Sequence, residues 1–153
     1  MKLVIGADHA GFELKERIRQ ELIAQGYEVI DIGAYEYIKD DDYPDYAAAV
    51  GRAIASGEGD RGILICGSGV GACIAANKIQ GARACLCHDI YSAAQGVEHD
   101  DMNILCLGGQ IVGKALASKL IAGFLDARFI DEGRYRRRLN KTIALEKQGS
   151  AGG

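Results

Sequence analysis

Ile65-Cys66-Gly67-Ser68-Gly69-Val70-Gly71 follows directly on the apolar run Gly62-Ile63-Leu64, and the two stretches together decide the fold. A short continuous apolar run bounded by glycine reads as a strand buried on both faces, the kind found in a parallel sheet. Ala72-Cys73-Ile74-Ala75-Ala76-Asn77-Lys78 then reads as a helix, so the glycine-rich stretch is the turn between strand and helix. A turn of this kind can hold an anion on backbone N–H groups and set a reactive side chain, here the thiol of Cys66, beside it.

The same unit recurs on either side. Leu3-Val4-Ile5-Gly6 is an apolar strand running into Ala7-Asp8-His9-Ala10-Gly11, and Leu14, Ile18 and Leu22 then recur at the spacing of one buried helix face. Gly26 is placed to end that helix, and Glu28 to Ile32 resumes as a strand with Gly33 beyond it. A polar, tyrosine-containing loop from Ala34 to Asp42 leads to a helix that begins near Pro44 and passes through Ala47, Val50 and Ile54 to Gly57. Further strands are expected near 61–66, 82–87 and 103–107, each followed by helical pattern.

Apolar strands alternating with helices, joined by right-handed crossovers, predict an α/β three-layer sandwich. Its centre is a five-stranded parallel Rossmann-like sheet. Tyr135 to Lys147 adds a C-terminal helix, basic at its start and sparse in apolar positions, suited to packing across the domain or onto a second subunit. Residues 1–148 form a single domain in this reading, and 149–153 a flexible C-terminal tail.

Composition narrows the function classes. A chain of 153 residues, 48% hydrophobic, has room for one domain with a sizeable core. Its net charge of -3 gives no electrostatic reason to expect nucleic acid or an acidic membrane as a partner. The longest apolar runs fall far short of spanning length, and Met1-Lys2-Leu3-Val4-Ile5 passes straight into glycine, so neither a transmembrane segment nor a signal peptide is expected. Five cysteines, at 66, 73, 85, 87 and 106, cannot all pair within the chain, which points to reduced thiols and a cytoplasmic protein. Cys73, Cys85 and Cys106 read as core residues.

Ligands of open parallel sheets bind beyond the carboxyl ends of the strands. Asp8-His9, Cys66 to Gly71 and Glu98-His99-Asp100 are the three groups expected to converge there. Cys66, at a strand–helix junction, is a candidate general base, with a small core residue as the competing reading. The N–H groups of Ser68, Gly69, Val70 and Gly71 are candidates for holding an oxyanion, while Gly67 and Gly69 permit the tight geometry. His9 and His99 can each bind phosphate or transfer a proton, and Asp8 can hold a hydroxyl or merely cap a helix.

Arg134 and Arg138 lie four residues apart, on one helix face, and with Arg136 and Arg137 make a cationic patch suited to phosphate. A solvated basic face is the competing account, and four arginines do not argue for nucleic acid against an acidic domain. Tyr43 can hydrogen-bond a sugar or simply wedge its loop. Gly67-x-Gly69-x-Gly71 lacks the spacing of a dinucleotide fingerprint and no Gly-Lys-Ser or Gly-Lys-Thr closes it. Cys85-x-Cys87-His88-Asp89 lacks the second cysteine pair of a zinc site, so no metal is assigned.

Gly6-Ala7-Asp8-His9-Ala10-Gly11, Asp42-Tyr43-Pro44 and Gly62-Ile63-Leu64-Ile65-Cys66-Gly67-Ser68-Gly69-Val70-Gly71, in that order, resemble the ribose-5-phosphate isomerase B family. Ile74 to Lys78, Tyr91-Ser92-Ala93 and Glu98-His99-Asp100 extend the likeness to roughly residues 2 to 145, and the galactose-6-phosphate isomerase subunits share much of it. The resemblance implies cofactor-independent aldose–ketose isomerisation of a sugar phosphate through a cis-enediolate, with ribose 5-phosphate and ribulose 5-phosphate the default pair. It implies Cys66 as the base, Ser68 as the handler of hydroxyl protons and His99 as the aid to ring opening. Asp8 and Tyr43 correspond to sugar contacts, and His9, Arg134 and Arg138 to the phosphate site.

The family resemblance further implies a homodimer, with a tetramer as the alternative, whose active sites mix residues of two subunits. The chain departs from the family's pattern at Asp100, where asparagine is common, at Gln110, where arginine is frequent, and at Tyr135, where histidine is frequent. An ionised carboxylate at Asp100 can accept sugar hydroxyl hydrogen bonds but disfavours a neighbouring enediolate. These departures leave open a tetrose, another pentose or a hexose as substrate, with or without phosphate, or a noncatalytic sugar-phosphate sensor.

Overall fold

Five apolar runs become five parallel strands: β1 (Lys2–Ala7), β2 (Glu28–Asp31), β3 (Arg61–Cys66), β4 (Ala84–Leu86) and β5 (Ile104–Gly108). Six helices alternate with and follow them: α1 (Phe12–Ala24), α2 (Tyr43–Ala55), α3 (Val70–Ala76), α4 (Ile90–Asp100), α5 (Lys114–Asp126) and α6 (Gly133–Gly152). The computed structural model describes residues 1–152, the side chains of 150–152 excepted. The strand order is β2-β1-β3-β5-β4, with Ile5 beside Ile63 and Gly62 beside Ile104 in the parallel registers.

Alternation along each strand divides the core into two layers. Leu3, Ile5 and Ala7 of β1, Ile63 and Ile65 of β3, and Leu105 and Leu107 of β5 face α1, α4 and α5. Val4, Leu64, Cys66, Ile104 and Cys106 face the opposite way, onto α2 and α3. The sheet is therefore covered on both faces, and the expected three-layer α/β sandwich with five parallel strands is the observed architecture. Phe124, Leu120 and Ile18 are almost wholly buried, and burying a side chain of this size stabilises a fold by about 1.5–3 kcal/mol.

Lys15 is the exception that the helical stripe hides. Its side chain is 0% exposed, and its ammonium donates to both oxygens of Asp31, at 2.8 and 2.9 Å, and to the Ala34 carbonyl at 2.6 Å. A buried ammonium persists when each donor finds an oxygen. The clamp ties α1 to the end of β2 and to the loop that follows.

Element ends differ modestly from those read in the sequence. β4 shrinks to Ala84–Leu86 at the sheet edge, and β5 begins at Ile104. The C-terminal helix spans Gly133–Gly152, passing through 149–152 of the expected flexible tail, while Gly153 lies outside the described residues. Leu139 buries the middle of α6 against the body of the domain. Among the described residues, no helix is long and apolar enough to cross a membrane.

Candidate active site

The chain leaves β1 toward β2 on one flank and later fills β3 on the other, so the order reverses between β1 and β3. A crevice opens beyond the carboxyl ends of two such strands. Asp8 and His9 emerge there from β1, and Cys66 ends β3. Backbone bonds stitch the three loops of this edge together: Asp8 N–H to the Ile65 carbonyl (3.3 Å), Gly109 N–H to the Cys66 carbonyl (2.7 Å) and Gln110 N–H to the Gly67 carbonyl (3.0 Å). Gly11 allows this closeness, since a Cβ there would fall 2.3 Å from the Ile65 carbonyl oxygen.

Cys66 is 5% exposed, and its Sγ accepts the Gly69 N–H at 3.2 Å. The Val70 N–H donates to Ser68 Oγ, also at 3.2 Å. Among the described residues, the N–H groups of Gly67, Ser68 and Gly71 donate to no protein acceptor. The turn therefore offers three amides to a ligand rather than the full run read from the sequence, because Gly69 and Val70 spend theirs inside the turn. Tyr43 lies over Gly71 so tightly that a Cβ there would come within 2.6 Å of the ring. A sulfur beside unspent amides suits proton abstraction next to a carbonyl: the sulfur takes the proton and the amides meet the oxyanion that forms.

Asp8 and His9 stand beside this turn. Asp8 is 6% exposed, and its Oδ1 accepts the Gly11 N–H at 3.1 Å. Burial pushes the Asp8 carboxyl up, against the Gly11 bond and the nearby His9. His9 Nδ1 meets Asp41 Oδ1 at 2.6 Å, and the His9 N–H donates to the same oxygen at 2.9 Å. The Asp41 bond, then Asp8 and Asp40, raise the His9 ring above its usual range, with desolvation opposing them. Burial alone would raise Asp41, but the bonds from His9 outweigh it and the carboxyl ends up lowered, with Tyr46 contributing.

Glu98, His99 and Asp100, the third group expected on this edge, lie elsewhere in the single chain. α4 starts at the carboxyl edge after β4 and ends at the amino edge before β5, as a right-handed crossover requires. His99 and Asp100 close that helix, so they sit at the opposite edge from Cys66, and their expected place on the carboxyl edge is corrected. Ile104 lies beside Gly62, four residues before Cys66, which puts the two edges about 13 Å apart along the strand. His99 stacks on Tyr135 with ring centroids 4.6 Å apart, and its Nδ1 pairs with Gln95 at 2.7 Å. Arg134 lies over the same tyrosine ring at 4.7 Å, while Arg138 is exposed on α6. The structure thus gathers the expected residues into two groups: Asp8, His9, Tyr43 and Cys66 to Gly71 on one edge, His99, Asp100, Arg134 and Arg138 at the α4–α6 junction.

The sequence matches the family described as Ribose/Galactose Isomerase over residues 3–142. The chain belongs to the ribose/galactose isomerase family. It is 44% identical over 147 residues to the ribose-5-phosphate isomerase B of Escherichia coli (strain K12), covering 96% of this chain and 97% of that one. The solved structure of the Clostridium thermocellum ribose-5-phosphate isomerase B superposes with a TM-score of 0.93 at 46% identity, over 97% of this chain and 99% of the other. A Mycolicibacterium smegmatis relative, 38% identical over 95% of this chain and 97% of its own, is a D-erythrulose-4-phosphate isomerase.

Within this ribose/galactose isomerase chain, Gln110 lines a cavity of about 590 Å³ with His9, Arg17 and Tyr37. The neutral amide brings hydrogen bonds but no charge to that cavity. Asp8, His9 and Asp41 offer donor atoms within 4.8 Å of one another. The 2.6 Å between His9 Nδ1 and Asp41 Oδ1 is a hydrogen-bond distance, shorter than the roughly 3.3 Å between two ligands of a tetrahedral ion. All five cysteines are free; Cys106 is buried, Cys73 is half-buried, and Cys85 is exposed, not in the core as its sequence setting suggested. Asp41 is the site residue that sequence reasoning missed. It is the middle member of Asp40-Asp41-Asp42, and nothing in that run marks which carboxylate folds back onto His9.

Proposed function

We propose that this chain interconverts ribose 5-phosphate and ribulose 5-phosphate without a cofactor, through a cis-enediolate with Cys66 as the base. The observation that carries this reading is the buried Cys66 sulfur at the end of β3, next to the unspent amides of Gly67, Ser68 and Gly71. The names of the relatives support the substrate pair.

In this mechanism Cys66 takes the proton from C2 of the open-chain aldose. The enediolate oxygens rest on the turn amides, and Cys66 returns the proton to C1. Ser68 passes the hydroxyl proton from O2 to O1, so the sugar gains and loses no atom. Asp8 and Tyr43 hold sugar hydroxyls, with Gly69 and Val70 shaping the turn. His99 assists ring opening, Asp100 contacts the sugar, and His9, Arg134 and Arg138 hold the phosphate.

Those last roles require two copies of the chain. The Cys66 group and the His99 group lie at opposite sheet edges, and Arg138 is exposed on α6. A homodimer that seats the α4–α6 junction of one copy against the carboxyl edge of the other completes both sites. The five free thiols support a reducing compartment, the cytoplasm.

Turnover of ribose 5-phosphate to ribulose 5-phosphate in the presence of EDTA tests the reaction, and Cys66→Ala is expected to abolish it while leaving the fold intact. Normal turnover by that variant would overturn Cys66 as the base. Mass in solution tests the assembly, with a dimer expected and a tetramer of such dimers compatible. An active monomer would refute the shared site.

A second reading, isomerisation of a tetrose phosphate or of another pentose or hexose phosphate, draws on the neutral Gln110, on Asp100 and on the erythrulose-4-phosphate relative. A panel of four- to six-carbon sugars, with and without phosphate, separates the two. Thermal stabilisation by a sugar phosphate with no solvent-proton exchange at C1 or C2 would instead mark a sensor.

A further inference from the structure

A single carboxylate oxygen grips residue 9 twice. Asp41 Oδ1 accepts the His9 backbone N–H at 2.9 Å and lies 2.6 Å from the ring Nδ1. Tyr37 stands edge-on to the imidazole, with centroids 6.1 Å apart and an interplanar angle of 83°. The Asp41 side chain is 8% exposed, its other oxygen is buried, and Tyr46 helps hold the carboxylate in its charged form. Drying a carboxylate costs free energy that a charge-assisted bond can offset. The sequence distance is 32 residues, so the contact is made by the fold and not by the local turn.

We propose that Asp41 is a positioning residue for substrate binding: it holds His9 with Nδ1 as the donor, so that Nε2–H is presented to the anionic group of the substrate. This rests on the reading of His9 as a phosphate contact. The bond to Asp41 occupies one ring nitrogen and fixes the ring plane, leaving the other nitrogen for the ligand. His9 shares its cavity with Gln110, Arg17, Glu13 and Glu16. Gln110 contributes no charge, and Glu16 is already paired with Arg19 and Lys15. Within the single chain, an anion entering from this side therefore meets a protonated His9 and Arg17 as its cations, and the proposed dimer adds Arg134 and Arg138 from the second copy.

The groups that face the ring come from several elements. Asp40 and Asp41 approach from the loop before α2, Asp8 from the end of β1, and Glu13, Glu16 and Arg17 from α1, while Tyr46 of α2 bears on Asp41. The carboxylates favour the imidazolium, the hydrogen-bonded Asp41 most of all. When the ring does lose a proton, Asp41 retains the one on Nδ1. Nε2 then becomes an acceptor and repels phosphate oxygen, so substrate affinity falls as pH rises through the His9 titration.

Long-range proton–nitrogen NMR of the wild-type protein should show the neutral ring of His9 as the Nδ1–H tautomer, and an Nε2–H tautomer would overturn the proposal without any variant. Asp41→Asn should lower the pH at which His9 titrates and raise KM for ribose 5-phosphate about tenfold near neutral pH, with kcat little changed. Asp40→Asn, which removes only a Coulombic neighbour, should shift both far less. An unchanged titration and KM in Asp41→Asn would refute the role. Should the wild-type enzyme ignore ribose 5-phosphate, the functional reading fails separately. Inorganic phosphate titrated against the His9 resonances then decides the role of Asp41, supporting it if phosphate perturbs them and Asp41→Asn weakens that response, and overturning it otherwise.

Discussion

Gly69 donates its backbone N–H to the Sγ of Cys66 at 3.2 Å, and it does so from left-handed backbone at φ +83°. A Cβ at this position would meet Leu86 Cδ1 at 2.6 Å and the Leu107 carbonyl carbon at 2.9 Å. Conformation and space therefore both select glycine. Gly69→Ala is expected to cost about 1–3 kcal/mol of stability, read from urea unfolding, and to lower kcat at least about tenfold by displacing the sulfur's donor. A variant with native stability and full turnover would show that the turn tolerates another path.

Lys15 and Asp31 make a second test, this time of the scaffold. Lys15→Met leaves the Asp31 carboxylate and the Ala34 carbonyl without their ammonium, while Arg19 remains 3.7 Å from Asp31. Asp31 is 20% exposed, so water and Arg19 soften the loss. Urea unfolding should register about 2 kcal/mol. Adding Asp31→Asn should recover part of that deficit, because an uncharged amide is cheaper to leave unpaired than a carboxylate.

The His9–Asp41 pair predicts a window of pH in which it stabilises the fold. Asp41 is lowered in the folded state, so its contribution is present above the ordinary value of 3.8 and is lost as pH falls through the folded titration. His9 is raised, so its contribution is full below the ordinary 6.5 and is lost as pH rises through its folded titration. Asp8, raised mainly by burial and to a lesser degree by the Asp41 charge, adds stability at low pH in both proteins, less so in the variant. The difference in Tm between wild type and Asp41→Asn should therefore be greatest between about pH 4 and 6.5 and shrink on both sides. A difference that is flat across pH would mean that shape, not charge, sets the contribution of Asp41.

The strands were legible because each is a run of apolar residues too short for a buried helix, as in Leu3-Val4-Ile5 and Ile63-Leu64-Ile65. The Cys66 turn was legible because glycines at 67, 69 and 71 interrupt such a run at its carboxyl end. His99 was misplaced for a definite reason: a residue just before a strand lies at the amino edge, however suggestive its neighbours. Lys15 did carry a signal, since it precedes Ile18 by three residues and Leu22 by seven and so falls on the buried stripe. Asp41 carried none, because its partner is chosen by how the 34–42 loop folds back over the sheet edge. Cys85 read as core, yet β4 is an edge strand, and alternation on an edge leaves one side open.

The separation of Cys66 from His99 across the sheet gives the most direct test of a site built from two subunits. Cys66→Ala and His99→Ala homodimers should each be inactive or strongly impaired. Unfolded together and refolded as an equal mixture, half of the dimers would carry one chain of each kind. In such a heterodimer one site combines both defects, and the other combines an intact Cys66 with an intact His99 from the opposite chain. The mixture should thus regain about a quarter of wild-type activity, as two-fold symmetry dictates. If each chain instead supplied both groups to its own site, every site in the mixture would carry one defect and mixing would restore nothing.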